Sequence, residues 1–441
     1  MRDEKQRLQE TTIPAEIDRA IFSGVQKAQQ IQQRRKRFWR YGATLTASAL
    51  LVGFFFSIRL SPVVAAYVSH IPGMEKLVDL IRDDKGLQRA TEHQMVQNVE
   101  ASVQEGEIRF SVDEVLMDER RMVIFYTIEH EQPDHVLSLD KIELMDASGQ
   151  PWGSGISWGS SMNKGSKTKN RVDVNLTEKD VVPDQLQLQV TVAVDQTALD
   201  VPIKVSFPID KARYAAHKEI VYEVNQEVAV DGQRFTIGKI TAYPTQTEVS
   251  IHFDPANSKH IFDFDQLALA DEHGHTYSFW GNGVPYTRDG ENVVIYNLES
   301  IYFTQPEQLF LQAKQIRALD KEKRHVTIDA HSGTLLKKPG DRVHLDALRQ
   351  NDDIVGMDFS LQVDVQDVNR YVSFVSDLTD DRGNEYELLQ STSSSDHENE
   401  LVQVYGKLFK RLTSKGAPTE YRFTLDSYPT RLSDGFRVPV K

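Results

Sequence analysis

Three short stretches hold residue types at spacings that do chemistry in other proteins. "GISWG", Gly155 to Gly159, fits the G-x-S-x-G pattern that raises a nucleophilic serine on a strand-to-helix turn. The residues beyond it read "SSMNKGSKTKN", which carry no apolar periodicity for the supporting helix. Ser157 is therefore read as a loop residue and not a nucleophile. "DEHGHTY", Asp271 to Tyr277, sets His273 and His275 beside Asp271. Two imidazoles on one strand face make a zinc site only with a further fixed ligand, so the stretch is read as turn and strand. The pair Asp380-Asp381 lacks the oxygen-ligand array of a calcium loop and is read as a solvated turn. With no cysteine there is no thiolate nucleophile, disulfide framework or thiolate metal site. No Gly-rich phosphate cradle is present either. The expectation is no catalytic residue, no metal, no cofactor and no enzyme. Trp152, Trp158 and Trp280 follow the repeated turns described next. Such residues stack on sugars or a partner when exposed and fill the core of a β-sandwich when not, and both readings stand.

The elements that position these residues repeat. "LMDASGQPW", "LADEHGHTY" and "LTDDRGNEY" each place Asp three residues before Gly and an aromatic three residues after it. "PDQLQLQ", "PEQLFLQ" and "PTEYRFT" follow, and the intervals Gly149 to Pro183, Gly274 to Pro306 and Gly383 to Pro418 are 34, 32 and 35 residues. Asp at the first and Gly at the fourth position favour a type I turn, so each Asp-x-x-Gly is expected to close a hairpin. The Pro then opens a strand whose alternate residues face a core: Leu186 and Leu188, Leu309 and Leu311, Tyr421 and Phe423. Alternating runs such as "QLQLQVTVAV" occur throughout the segment beyond residue 94. The fold class expected is mainly β, with tandem immunoglobulin-like sandwiches over 94–210, 211–332 and 333–441.

The first ninety residues differ. From Tyr41 to Ile58 the chain carries no charge, and about 20 such residues cross a bilayer as a helix, which places a transmembrane span at 41–60. Arg34, Arg35, Lys36, Arg37 and Arg40 precede it, so the positive-inside rule orients residues 1–40 to the cytoplasm and the bulk of the chain outside. A cleaved signal peptide is the competing reading, with "VVAA" at Val63 to Ala66 as its cleavage site, but the forty residues ahead of the span are far too many for an n-region. Within residues 1–40, Ile17, Ile21, Val25, Ala28 and Ile31 recur at helical spacing behind the start signals Thr12 and Pro14. So short a segment buries no core of its own; the stripe lies on lipid, self-associates or meets a partner protein. Residues 61–93 read as a juxtamembrane helical collar with Leu77, Val78, Leu80, Ile81 and Leu87, ending near Gly86.

Charge agrees with this division. The formal net charge is −14, yet residues 1–40 hold ten Lys and Arg against five Asp and Glu, a net of +5 that leaves −19 for the rest. An acidic bulk excludes direct nucleic-acid binding, which requires cations to displace counterions from phosphate.

Residues 12 to about 130 resemble a family of unknown function found in membrane proteins of Gram-positive bacteria. The likeness rests on "IPAEIDRAIFSGVQKA" with its basic run and span, on "LSPVVAAYVSHIPGMEKLVDLIRDDKGLQ", and on "GEIRFSVDEVLMDERRMVIFYTIE". The sandwich after these resembles a domain commonly appended to that family. The resemblance implies a membrane-bound anti-sigma-like or signalling factor, often encoded beside extracytoplasmic-function sigma factors. The chain departs from zinc anti-sigma proteins in lacking any His-and-Cys metal motif, so only the helix with Ile17, Ile21, Val25 and Ala28 is left to hold a sigma factor. Two readings follow: a single-pass regulator whose outer domains sense an envelope ligand or stress, and a structural or binding protein of the envelope whose inner helix is only an anchor in membrane lipid.

Overall fold

The structure, a computed structural model, describes residues 80–441 except 82–83, 133–134, 154, 160–164, 279–285, 352, 368, 370, 372–374 and 396–400. The transmembrane span expected at 41–60, the Ile17 to Ile31 stripe, the basic cluster Arg34 to Arg40 and Trp280 lie outside the described residues. Among the described residues no helix is long and apolar enough to cross a membrane. The described part is mainly β and antiparallel throughout.

Helix α1 (Lys85–Glu92) leads into the first module. Gly86, expected to end a helix, is instead its second residue. Asp84 caps the helix, its Oδ1 accepting the Leu87 N–H at 3.0 Å, and no β-branched residue occurs before Thr91. The first module comprises β1 (Gln97–Glu105), β2 (Ile108–Met117), β3 (Arg121–His130), β4 (Leu137–Asp146), β5 (Gly155–Trp158), β6 (Lys167–Asn175), β7 (Gln185–Val194), β8 (Thr197–Ala198) and β9 (Ile203–Pro208). One sheet runs β1-β2-β3-β6-β5, and in the other β7 lies between β4 and the pair β8 and β9. Period-2 patterning buries Leu186, Leu188, Val190 and Val192 of β7 and Ile203, Val205 and Phe207 of β9 against the first sheet.

After helix α2 (Lys211–Ala215) the plan recurs. The second module contains β10 (Ile220–Val230), β11 (Gln233–Ala242), β12 (Gln246–Phe253), β13 (Lys259–Asp265), β14 (Ala268–Asp271), β15 (Thr276–Tyr277), β16 (Tyr286–Arg288), β17 (Val293–Glu299), β18 (Leu309–Ala313) and β19 (Gln315–Asp320). Its larger sheet, β10-β11-β12-β17-β16, has the same order as its counterpart in the first module. The third contains β20 (His325–Asp329), β21 (Leu335–Lys337), β22 (Val343–Asn351), β23 (Ile354–Gln362), β24 (Val375–Asp380), β25 (Tyr386–Ser395), β26 (Val402–Arg411) and β27 (Glu420–Leu425), as sheets β21-β20-β27-β24 and β22-β23-β26-β25. Two apolar cores result, one around Phe235, Tyr296, Leu309 and Leu311, the other around Phe359, Tyr405, Phe409 and Tyr421.

The chain then returns. The last strand, β28 (Phe436–Pro439), pairs with β18, and Leu432 and Val438 belong to the second core. The boundary expected at 332/333 therefore does not follow the packing: β20 and β21 share one sheet of the third module across it, while residues 432–440 complete the second. The third module is an insertion within the second. Strands β13 and β19 form the wall between them, giving Ile261, Phe264, Ile316 and Ala318 to one core and Phe262 and Leu319 to the other.

The repeated turn has one construction in all three modules. The Asp carboxylate Oδ1 accepts the N–H groups two and four residues on: Ser148 and Gln150 at 2.8 and 3.0 Å, His273 and His275 at 2.9 and 2.8 Å, Arg382 and Asn384 at 2.9 and 3.0 Å. The Gly takes the left-handed conformation, with φ of 81°, 81° and 72°, which a Cβ would strain. The turn closes only a short antiparallel pairing, the Met145–Pro151 bridge in the first module and β14–β15 in the second, before the chain passes to the other sheet, from β4 to β5, β14 to β16 and β24 to β25. Curling five residues around one carboxylate lifts the chain off its sheet. The Asp also sits opposite the first core residue of the Pro-led strand each time, Asp146 to Leu186, Asp271 to Leu309 and Asp380 to Tyr421. That shared register explains the constant spacing.

Candidate functional site: two charged junctions

The modules meet at two clusters of buried charge. The first surrounds helix α1. Arg121, at the start of β3, donates through Nη1 to Asp84 Oδ2 at 2.9 Å and through Nε to Asp173 Oδ1 at 2.9 Å, with a further Nη2 contact to Asp173. Arg171 pairs with the other Asp173 oxygen at 3.1 Å and donates to the Leu80 carbonyl at 3.1 Å. Asp84 thus caps α1 with one oxygen and binds the first module with the other. Arg121 is 8% exposed. Burial alone would lower its proton affinity, but Asp84 and Asp173 raise it further, so the charge is fixed.

The turn between β2 and β3 reaches the second module. Asp118 Oδ1 accepts the N–H groups of Arg120 and Arg121 at 2.9 and 3.0 Å, while Oδ2 accepts the Thr245 N–H at 2.8 Å and its hydroxyl at 2.7 Å. Burial raises the Asp118 carboxyl against these four donors. Arg120 donates to the Tyr243 hydroxyl at 3.0 Å and to Glu178 at 2.6 Å, and lies 3.4 Å from Glu248. Burial pushes the Glu248 carboxyl up, with Arg120 opposing. Helix α1 touches the second module directly: Arg89 donates to the Ser300 carbonyl at 3.0 Å, and Lys85 lies 3.6 Å from Glu299. A Cβ on Gly86 would fall 2.3 Å from the Thr245 carbonyl oxygen, so only glycine allows this approach.

The second junction joins the second and third modules. Arg317 on β19 donates to Asp263 at 2.6 Å and lies 2.9 Å from Asp265. Arg431, just before β28, donates to Asp265 Oδ2 at 2.6 Å and pairs with Asp367 at 2.9 Å. From the third module, Asn369 donates to Asp265 at 3.1 Å, and the Tyr371 hydroxyl to Asp367 at 2.6 Å, with its ring 5.6 Å from the Arg317 guanidinium. Burial raises Asp367, but hydrogen bonds from Tyr371, Asn369 and Arg431 outweigh it and hold the carboxyl below its usual range.

Neither junction pairs a nucleophile with a base. What they do is couple: displacing any one segment would leave a buried charge without its partner, which costs several kcal/mol. Neither was anticipated from the sequence. Asp84, Arg121, Asp173 and Thr245 are far apart in the chain, and "MDERR" at Met117 to Arg121 reads like any solvated turn.

The stretches singled out from the sequence take other roles. Ser157 lies on the edge strand β5, opposite Asp173, not in a loop or at a strand-to-helix turn. His275 Nδ1 is 2.9 Å from Asp271 Oδ2 and His273 Nε2 is 3.4 Å from Glu272, so each His is engaged by a neighbour within the turn. Among the described residues no group of three His, Asp or Glu side chains is gathered as a metal ion would require. Asp380 also takes Asn384 Nδ2 at 2.6 Å and the Tyr386 hydroxyl at 2.7 Å, and Asp381 binds Thr419 and Glu420; both are turn fasteners, not a solvated pair. Hydrogen bonds from the Glu420 and Thr419 N–H groups bring Asp381 down to about 2. The half-buried Trp152 donates to the Val181 carbonyl at 3.0 Å, and Trp158, 37% exposed, to the Leu139 carbonyl at 3.1 Å.

Comparison with known proteins matches two parts of the chain. Residues 34–130 match a domain of unknown function (DUF4179), and residues 219–338 match a family of unknown function (DUF5643). The first junction draws residues from both matched segments, Asp84, Asp118 and Arg121 from one and Tyr243, Thr245, Glu299 and Ser300 from the other, while its Arg171, Asp173 and Glu178 lie between them. No curated protein matches. Among solved structures, one described as the crystal structure of the conserved domain protein from Bacillus anthracis is 13% identical, with a TM-score of 0.37, covering 55% of this chain and 84% of that one.

Proposed function

We propose that the protein is a non-enzymatic, single-pass membrane regulator, anti-sigma-like, in which extracytoplasmic β-sandwiches sense envelope state and a cytoplasmic helix holds a sigma factor or similar protein. The observation that carries this reading is the first junction. Helix α1 is the first described helix with both caps defined after the apolar stretch, and it is bonded to the first module through Asp84–Arg121 and to the second through Arg89–Ser300. A shift of one sandwich against the other would therefore act on helix α1. A pure tether has no need of a helix shared by two modules. Further support comes from the resemblance of residues 12–130 and from the match of residues 34–130.

The test uses the full chain in its own cells. Replacing Ile17, Ile21 and Val25 with Ser should raise expression from the promoter of the cognate sigma factor by freeing it, and Gly86→Ala, which forces α1 away from Thr245, should change expression without touching the cytoplasmic helix. Unchanged expression in both variants rejects the regulator. A structural or binding protein of the envelope would instead keep its function after deletion of residues 1–30.

A further inference from the structure

The sheets of the three modules end in strand edges, and one edge differs from the rest. Strand β25 is the last strand of the sheet β22-β23-β26-β25, with β26 on one side and, among the described residues, no strand on the other. It is 10 residues long, YELLQSTSSS, and every side chain from Glu387 to Ser394 is exposed, Leu388 and Leu389 at 39% and 48%. Its bulge falls between Leu388 and Gln390, so from Gln390 to Ser395 it runs in unbroken register with Leu408 to Gln403 of β26. That run holds no charged residue, no Pro and no Gly, and the strand's one charge, Glu387, lies ahead of the bulge. The other long edge strands are guarded. Glu100 and Glu105 stand on β1, Asp140, Lys141 and Glu143 on β4, Glu223 and Glu227 on β10, and Asp346 and Arg349 on β22. Charges at these positions keep a sheet edge from accepting another strand. Nothing of the kind protects Gln390 to Ser395.

We propose that β25 is a self-association edge, on which a second copy of this chain lays its own β25 antiparallel about a two-fold axis at Thr392. A two-fold perpendicular to the sheet keeps both sandwich cores on the same side and sets each residue against one of equal parity: Thr392 against the partner's Thr392, Ser391 against the partner's Ser393, Gln390 against the partner's Ser394. Backbone N–H and C=O groups of the two edges supply the attraction, and small hydroxyl side chains directly opposite one another add to it. Charge selects the second copy as the occupant. The whole chain carries −14, so two copies repel over most of their surface, and this is the long edge at which neither brings a charge to the other. The association also closes: pairing consumes the uncharged edge of both sheets and leaves only β22, with Asp346 and Arg349, at the far side, so it stops at two copies. The third module alone carries this surface, whatever the first forty residues do.

The chain has no cysteine, so a single introduced thiol reports on one place. Full-length Thr392→Cys, oxidised in detergent and in cells, should form a disulfide between two copies, seen as a doubled mass on a non-reducing gel. Ser102→Cys, exposed on the guarded edge β1, should form far less. Two further variants in the Thr392→Cys background separate pairing from folding. Gln390→Lys with Ser394→Lys sets like charges opposite each other twice across the axis and should lower the dimer about fivefold. Gln390→Glu with Ser394→Lys alters the same exposed positions but sets opposite charges across the axis, and should keep the dimer at the level of Thr392→Cys alone or above it. That split upholds the pairing. Equal yields from the two double variants overturn it, as does a dimer no more abundant in Thr392→Cys than in Ser102→Cys. Capture of a different protein in cells, in place of a second copy, overturns it too. Matching thermal melts of the two double variants assign the split to the interface and not to folding.

Discussion

The two junctions are both buried and charged, yet they are assembled in different ways. At the first, one carboxylate, Asp118, is satisfied largely by neutral donors from two modules, and Arg121 is shared by a helix cap and a neighbouring strand. At the second, Arg317 and Arg431 face Asp263, Asp265 and Asp367, with Tyr371 and Asn369 supporting the carboxylates. The first depends on geometry, since a helix lies close enough to a loop that a single methyl group would be excluded. The second depends on matched charge. Both hold buried charges that a displacement would strand, but the first adds a backbone approach that only a glycine permits.

Arg317→Met gives the largest expected effect. It leaves Asp263 without its arginine and Asp265 with only Arg431, and should destabilise the protein by about 3 to 5 kcal/mol in denaturant unfolding. Hydrogen exchange should show early opening of β13, β19 and the third module while α1 stays protected. If α1 opens first, the junctions are not separate. Arg121→Met should cost somewhat less, about 3 kcal/mol, because Arg171 remains on Asp173, and here α1 should lose protection first. Thr245→Val removes one hydroxyl donor from Asp118 and leaves the backbone N–H, so a loss of about 1.5 kcal/mol confined to the first junction is expected. The smallest effect concerns pH. Asp381 in the folded state sits at about 2, below its ordinary 3.8, so acid protonates the unfolded chain more readily. Its stabilising contribution is present above about pH 4 and is lost as pH falls toward 2. Asp381→Asn should flatten that part of the stability curve, and an unaltered curve would show that the turn is not fastened by this carboxylate.

What was legible in the sequence was local or repeated. The Asp-x-x-Gly turns announce themselves because their hydrogen bonds close within five residues, and the following Pro keeps its distance because Asp146, Asp271 and Asp380 must each meet a core residue across the ladder. The direction of the turn was not legible, since both a hairpin and a sheet-to-sheet crossing begin with the same four residues. Neither was the return of "FRVP" to β18: four residues carry too little pattern to reveal a partner some 125 positions away. The junctions were hidden for a related reason. A charged residue in a turn is solvated by default, and only the tertiary structure shows that Asp118 is covered by Thr245.

The strand formed by Phe436–Pro439 has a mechanical consequence. Because the chain's last strand is clamped beside Leu309–Ala313, tension applied between the start of α1 and Lys441 would run through the first two sandwiches and bypass the inserted one. In a force-extension experiment pulling on those ends, the inserted sandwich should contribute its length only after β28 has been stripped from its neighbour, so the largest release of slack would follow, not precede, the rupture of the second sandwich.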